Sequence, residues 1–190
     1  QRARRADEAG LVIRARRSQP VPATLSKGKS WRGKDVCDAL YEDFCGKCYL
    51  CERALTRGNF EVDHRRPQGA FAEHRFSWDN LFPACRGCNG GRPTSYPDGS
   101  TRQYPETADL LEPTADDVEA LLSQTYDLRD NQIRFDARSP RDLSAAFTAH
   151  ELEHLHNART ARAEDLRSAI YQWLVRVLHA KAERSEERRV

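Results

Sequence analysis

Two short cysteine pairs constrain this chain more than any other feature. Cys48-Tyr49-Leu50-Cys51 and Cys85-Arg86-Gly87-Cys88 are both C-x-x-C, with 33 residues between them. A two-residue gap lets both thiolates of a pair face one tetrahedral centre. Two such pairs close a four-sulfur shell suited to Zn²⁺. A closed shell leaves no open coordination position, so the metal would hold the fold and leave the chemistry to other residues. Cys45 offers a competing register, because Cys45-x-x-Cys48 is also C-x-x-C. Cys48 and Cys51 are favoured, since Cys45 ends a helical stripe in which Val36, Leu40 and Phe44 recur at i, i+4 and i+8. Cys37 lies beside that stripe and reads as a small core residue. Clustered pairs without a visible secretory h-region favour metal binding over a disulfide framework, and with it a cytoplasmic location.

The 190 residues suffice for one domain, or for a small site-bearing module with an accessory part. No run approaches the ~20 apolar residues of a helical membrane span, so no membrane partner is expected. The net charge is only +2, but it is unevenly placed. Residues 1–34 carry ten Lys/Arg against Asp7 and Glu8, residues 35–92 eight against nine acids, and residues 93–190 thirteen against eighteen. A basic arm over 1–34 is thus joined to a near-neutral segment over 35–95 and an acidic one over 96–190. Such an arm attracts phosphates, or is simply a solvated terminus.

The arm reads as weakly ordered, with a basic loop at Ser26–Ser30 and one apolar cluster at Leu11–Ile13 suited to docking. Residues 59–64 alternate apolar and polar, predicting a short strand that ends at His64. Three prolines over 93–108 predict a loop. Thr114-x-x-Asp117 resembles a helix cap before Val118, Leu121 and Leu122. A small hairpin turning at Asp130-Asn131 is expected over 128–135. A helix capped by Ser139 with Pro140 in its first turn follows. Leu166, Ile170, Trp173, Leu174, Val177 and Leu178 form an apolar stripe of helical period, read as core, before a charged tail from Lys181. The expected class is α+β, with an irregular site over 46–92 and a mainly helical C-terminal part.

Between the knuckles stand Val62-Asp63-His64-Arg65-Arg66-Pro67 and Trp78-Asp79-Asn80-Leu81, and Asn89 directly follows the second knuckle. Consecutive strand residues face opposite ways, so Asp63 and His64 serve one site only where the chain bends. A hard cation such as Mg²⁺ takes oxygen ligands, for which Asp63 and the Asn89 amide carbonyl are candidates. A neutral imidazole at His64 can accept a proton from water. Together these parts suit hydrolysis of a phosphodiester.

The ordered pattern G-K-C-x-x-C-E, V-D-H-x-x-P, W-D-N-L and C-x-x-C-N resembles an HNH endonuclease with a ββα-metal core. It lies at Gly46–Glu52, Val62–Pro67, Trp78–Leu81 and Cys85–Asn89. The resemblance implies that His64 is the general base, that Asp63 and Asn89 hold the catalytic divalent ion, and that Asn80 shapes the His-bearing loop. It also implies structural zinc at Cys48, Cys51, Cys85 and Cys88. Many relatives continue as a helix after the last Asn, with a Lys soon after. Here Gly90-Gly91-Arg92-Pro93 follows, which shortens any helix, and Arg92 replaces the Lys as a phosphate contact beside Arg65 and Arg66. The implied substrate is nucleic acid, with DNA expected. One such core cuts one strand at a time, so a homo-oligomer or sequential nicks would make double-strand breaks. Leu110–Pro113 and Leu155–Asn157 are similar to HNH proteins of Septu-type bacterial anti-phage systems, which implies an ATPase partner.

Two rivals stand beside this reading. A non-catalytic zinc module would present the basic arm to nucleic acid or protein. His150-Glu151-x-x-His154 matches H-E-x-x-H of metalloproteases, a short motif that also arises by chance. His74 reads as a solvated loop residue.

Overall fold

The computed structural model describes residues 15–92 and 109–187, with side chains through residue 179. The expectations for Leu11–Ile13, for the 93–108 loop and for the tip of the charged tail lie outside the described residues. The structure is a mixture of helices and two-stranded sheets, consistent with α+β. The chain divides into two compact units, Gln1–Tyr104 with Leu110–Val118, and Pro105–Asp109 with Glu119–Val190.

In the first unit, α1 (Ala23–Ser26) and α2 (Lys34–Asp43) precede a hairpin of β1 (Glu61–His64) and β2 (Leu81–Ala84), and α3 (Arg86–Gly91) follows. The helical stripe behaves as its spacing requires. Val36 and Leu40 of α2 are fully buried, and Phe44 caps its C-terminus at 6% exposure. They pack with Leu25, Val62, Trp78, Leu81 and Phe82 into one core, and Cys37 lines it. β1 and β2 are antiparallel, with Asp63 opposite Phe82 and His64 opposite Leu81. β2 carries no alternation because all four of its residues are buried. Pro83 is tolerated there since a two-stranded sheet leaves each strand an open edge.

Residues 15–34 depart from the expectation of weak order. Leu25 is buried in the core, and Asp35 accepts a hydrogen bond from the Thr24 backbone (2.8 Å), tying α1 to α2. Arg17 is the stronger anchor. Its guanidinium lies 4.2 Å from the Phe82 ring centroid and 5.1 Å from that of Trp78. It donates to the carbonyls of Leu81 (2.6 Å) and Asp79 (3.2 Å) and pairs with Glu112. Burial pushes the Arg17 guanidinium below its usual range, and Glu112 opposes that shift. Apolar patterning gives little warning of this arm, because Leu25 stands outside any periodic stripe and Arg17 adds a polar attachment.

In the second unit, α4 (Val118–Leu121) leads into β3 (Leu122–Asp127), which pairs with β4 (Gln132–Ala137); α5 (Leu143–Asn157) and α6 (Ala161–Glu187) follow. The helix expected through Leu122 is one turn long, since Leu122 starts the strand and is buried opposite Ala137. Asn131, at φ 57°, closes the turn in the left-handed region that Asn tolerates. The cap of α5 is Asp142, whose carboxylate accepts from Ala145 N (2.9 Å), rather than Ser139. Asn157 docks the hairpin on α5, accepting from Ile133 N (2.9 Å) and donating to Ile133 O (2.7 Å). The stripe of α6 is not core: Trp173 is 61% exposed and Leu178 54%. No helix among the described residues is long and apolar enough to cross a membrane.

Candidate metal centre and adjoining polar site

The first knuckle is a tight turn between α2 and the hairpin. Cys45, Gly46 and Glu52 all adopt positive φ (56°, 67° and 54°). At Gly46 a Cβ would stand 2.8 Å from the Tyr41 ring, so glycine is required by conformation and by space. Cys48 N donates to Arg53 O, Glu52 N to Cys48 O, and Tyr49 N to Pro83 O, which seats the knuckle on β2. The second knuckle opens α3. Cys85 is its N-cap, and its sulfur accepts from Cys88 N at 3.4 Å.

The sulfurs of Cys48, Cys51, Cys85 and Cys88 all lie within 4.8 Å of one another. Cys51 Sγ and Cys85 Sγ are 3.8 Å apart. Tetrahedral bonds of about 2.3 Å to zinc place sulfurs about 3.8 Å apart, so the donor set fits the ion in number, type and spacing. Cys45 is outside the cluster. The Cys48 side chain, hydrogen-bonded to both, lowers Cys51 to about 7 and holds Cys85 well below the usual thiol range. Contacts within the cluster hold Cys48 and Cys88 high. Among the described residues this is the one group of three or more His, Cys, Asp or Glu side chains placed for a metal.

That result bears on the metalloprotease motif. His150 and His154 lie exposed on α5, whereas Glu151 is 1% exposed and turned inward.

Asp63 and His64 are both buried on β1. Asp63 Oδ2 accepts from Tyr49 OH and from Arg92 Nη1. No hydrogen bond among the described residues falls on Oδ1, which leaves it open to a hard cation as a single oxygen ligand. Arg92 is 5% exposed, at the C-terminus of α3. It also donates to Tyr49 OH (2.8 Å), His64 O (3.2 Å) and Arg65 O (2.6 Å). Its guanidinium is therefore an internal strut tying Asp63 to the chain that follows β1. Burial pushes Tyr49 well above its usual value, so it remains a neutral donor to Asp63.

His64 Nε2 lies 3.1 Å from Arg75 O. A carbonyl only accepts, so the proton sits on Nε2 and the lone pair on Nδ1. Burial pushes the His64 pKa below its ordinary 6.5, which keeps the ring neutral at pH 7. Asn80 is 3% exposed and ties the intervening loop. Its Oδ1 accepts from Arg66 N (2.8 Å), and its Nδ2 donates to Arg66 O and His74 O (both 3.1 Å). Asn89 is half-buried in α3, its backbone N–H bonded to Cys85 O (3.0 Å). Arg65 donates to Leu110 O (2.6 Å), and Arg66 Nη1 to His74 Nε2 (2.9 Å). His74 is thus half-buried and bonded, not a solvated loop residue. Sequence reasoning missed Tyr49 and Arg92 as partners of Asp63, because the hydrogen bonds cross 14 and 29 residues with no periodic signal.

No family model matches this chain, and no solved structure matches it. It is 36% identical over 73 residues to the Septu protein PtuB of Bacillus thuringiensis. The match covers 37% of this chain and 28% of that protein, so the chain spans well under a third of its relative's length.

Proposed function

We propose that the chain is a metal-dependent HNH endonuclease with a ββα-metal core stapled by zinc. The carrying observation is His64: a buried neutral imidazole with Nε2 bonded to Arg75 O, leaving Nδ1 as the basic nitrogen, in a loop tied by Asn80. In this reading His64 Nδ1 removes a proton from water, and the resulting hydroxide attacks phosphorus. One P–O bond forms, the opposite P–O bond breaks, and the leaving oxygen is protonated by solvent. Mg²⁺ or a similar ion, held by Asp63 Oδ1 and the Asn89 carbonyl, would supply charge stabilisation on the phosphate. Arg92 and Tyr49 aim the Asp63 carboxylate through its other oxygen. Arg65 and Arg66 lie at the exit of β1, where they serve phosphate binding. The core over 35–95, the basic arm over 1–34 and the accessory part over 96–190 remain the proposed division of labour.

The similarity to a Septu protein, together with the outer motifs, supports a role in anti-phage defence with an ATPase partner. DNA is the proposed substrate, cut one strand at a time, with a homo-oligomer or sequential nicks for double-strand breaks. The test is plasmid nicking by zinc-loaded protein with Mg²⁺, with Mg²⁺ omitted, and by His64→Ala with Mg²⁺. Nicking that needs both Mg²⁺ and His64 establishes the reading. Nicking that persists in His64→Ala at unchanged rate removes it.

One observation favours a second reading. The Asp63 charge is already balanced by Arg92, as in a purely structural ion pair. A non-catalytic zinc module would bind nucleic acid or protein equally well with or without His64.

A further inference from the structure

We propose that Trp31, Arg75 and Phe76 form a stacking platform for an unpaired nucleobase beside His64, so that the site takes single-stranded or locally unpaired nucleic acid. This rests on the nuclease reading and specifies its substrate. The Trp31 ring meets the His64 ring edge-on, with centroids 5.6 Å apart, and meets Phe76 at 5.7 Å. The Arg75 guanidinium lies 4.2 Å from the Trp31 centroid and 5.6 Å from that of Phe76. The Arg75 backbone carbonyl is the acceptor that orients His64. One residue therefore sets the tautomer of the base and builds the surface next to it.

This surface is not closed off as core. Phe76 is 36% exposed, Arg75 is exposed, and Trp31 is half-buried. Among the described residues no carboxylate pairs with Arg75; its charge rests on aromatic faces. A guanidinium on a ring presents a flat, cationic outer face, which suits a base and its phosphate together. Lys27 and Lys29, both exposed, precede Trp31 in the chain and add positive charge to this segment. Bases inside a duplex are already stacked on both faces, so a ring platform is usable only by a base that has left the helix or never entered one.

The test is fluorescence-anisotropy binding of the zinc-loaded full chain to a short labelled oligothymidylate and to a duplex of equal length. No divalent cation is added, so binding is read apart from cleavage. Tighter binding to the single strand is expected. Phe76→Ala should weaken single-strand binding about tenfold and duplex binding far less. Arg75→Lys, which keeps the charge and loses the flat face, should fall between wild type and Arg75→Ala on the single strand. Zinc content and thermal melting check that each variant is folded. Competition of unlabelled single strand against duplex on the unaltered protein gives a readout that needs no variant. Equal or tighter duplex binding, or equal losses on both ligands, overturns the platform. Plasmid nicking separates the two ideas. His64-dependent nicking with a duplex preference sinks the platform alone; platform-dependent single-strand binding without His64-dependent cleavage sinks the nuclease alone.

Discussion

In the unit that carries the cysteines, Asp63, His64, Asn80 and Arg92 are all buried, and each is held by named hydrogen-bond partners. In the unit built on β3, β4, α5 and α6, Leu143, Trp173 and Leu178 are more than half exposed. The first unit concentrates polar groups in a small interior, where each bond is directional and has no substitute. The second rests on a hairpin packed on a helix around Ile133, Ala145 and Leu155, with much apolar side chain left in solvent. Single substitutions should therefore be severe in one and mild in the other.

The largest effect is expected at the cysteine cluster. Cys88→Ser removes a fully buried ligand, and structural zinc sites contribute folding free energy outright. Mass spectrometry under native conditions should show loss of one zinc. Hydrogen exchange should lose protection over 48–92 while α5 keeps it. Protection lost equally in both units would break the contrast.

Arg92→Leu comes next. It leaves the Asp63 carboxylate buried without its cation, which costs about 3–5 kcal/mol. Urea unfolding of the zinc-loaded protein measures this. Asp63→Asn in the Arg92→Leu background should recover part of the loss, because the buried charge is then gone. No recovery would mean that Arg92 acts mainly through the carbonyls of His64 and Arg65. Asn80→Ala strips three hydrogen bonds from the loop and should cost about 2–3 kcal/mol. It should raise exchange at Arg66 before it affects α2.

Local patterns in the sequence carry the first unit's frame. The C-x-x-C spacing reaches only two residues, the Val36, Leu40 and Phe44 stripe eight, and both appear as read. What stays hidden is long-range and polar. Arg17 reaches Leu81, and Arg92 reaches Asp63, through guanidinium bonds that no hydrophobic period encodes. β2 escapes because a fully buried four-residue run has no alternation. The α6 stripe misleads in the other direction: its period predicts a helix, which forms, but period alone does not say that anything covers the stripe. Residue chemistry alone suggests cation ligands at Asp63 and Asn89 and a proton acceptor at His64, whereas the role given to Asn80 comes from the motif resemblance.

Acidity probes His64 with a smaller effect. Its folded pKa is depressed by burial, so the unfolded chain takes up the proton first. Stability attached to this group is present above pH 6.5 and is lost as pH falls from 6.5 through the folded value. In the nuclease reading, the acidic limb of the nicking rate should fall below pH 6.5 for the same reason. A limb above 6.5 would mean that the titrating base lies elsewhere.

The smallest effect should be at Trp173. At 61% exposure its ring gives up little solvent on folding, so Trp173→Gln should change unfolding free energy by no more than about 0.5 kcal/mol. Leu155→Ala on α5, where the side chain is 1% exposed, should cost about 2–5 kcal/mol in the same assay. The pair separates helix periodicity from burial within one unit. If Trp173→Gln were as costly as Leu155→Ala, α6 would have a partner surface in solution, and a drop in sedimentation coefficient on substitution would identify that partner as a second copy of the chain.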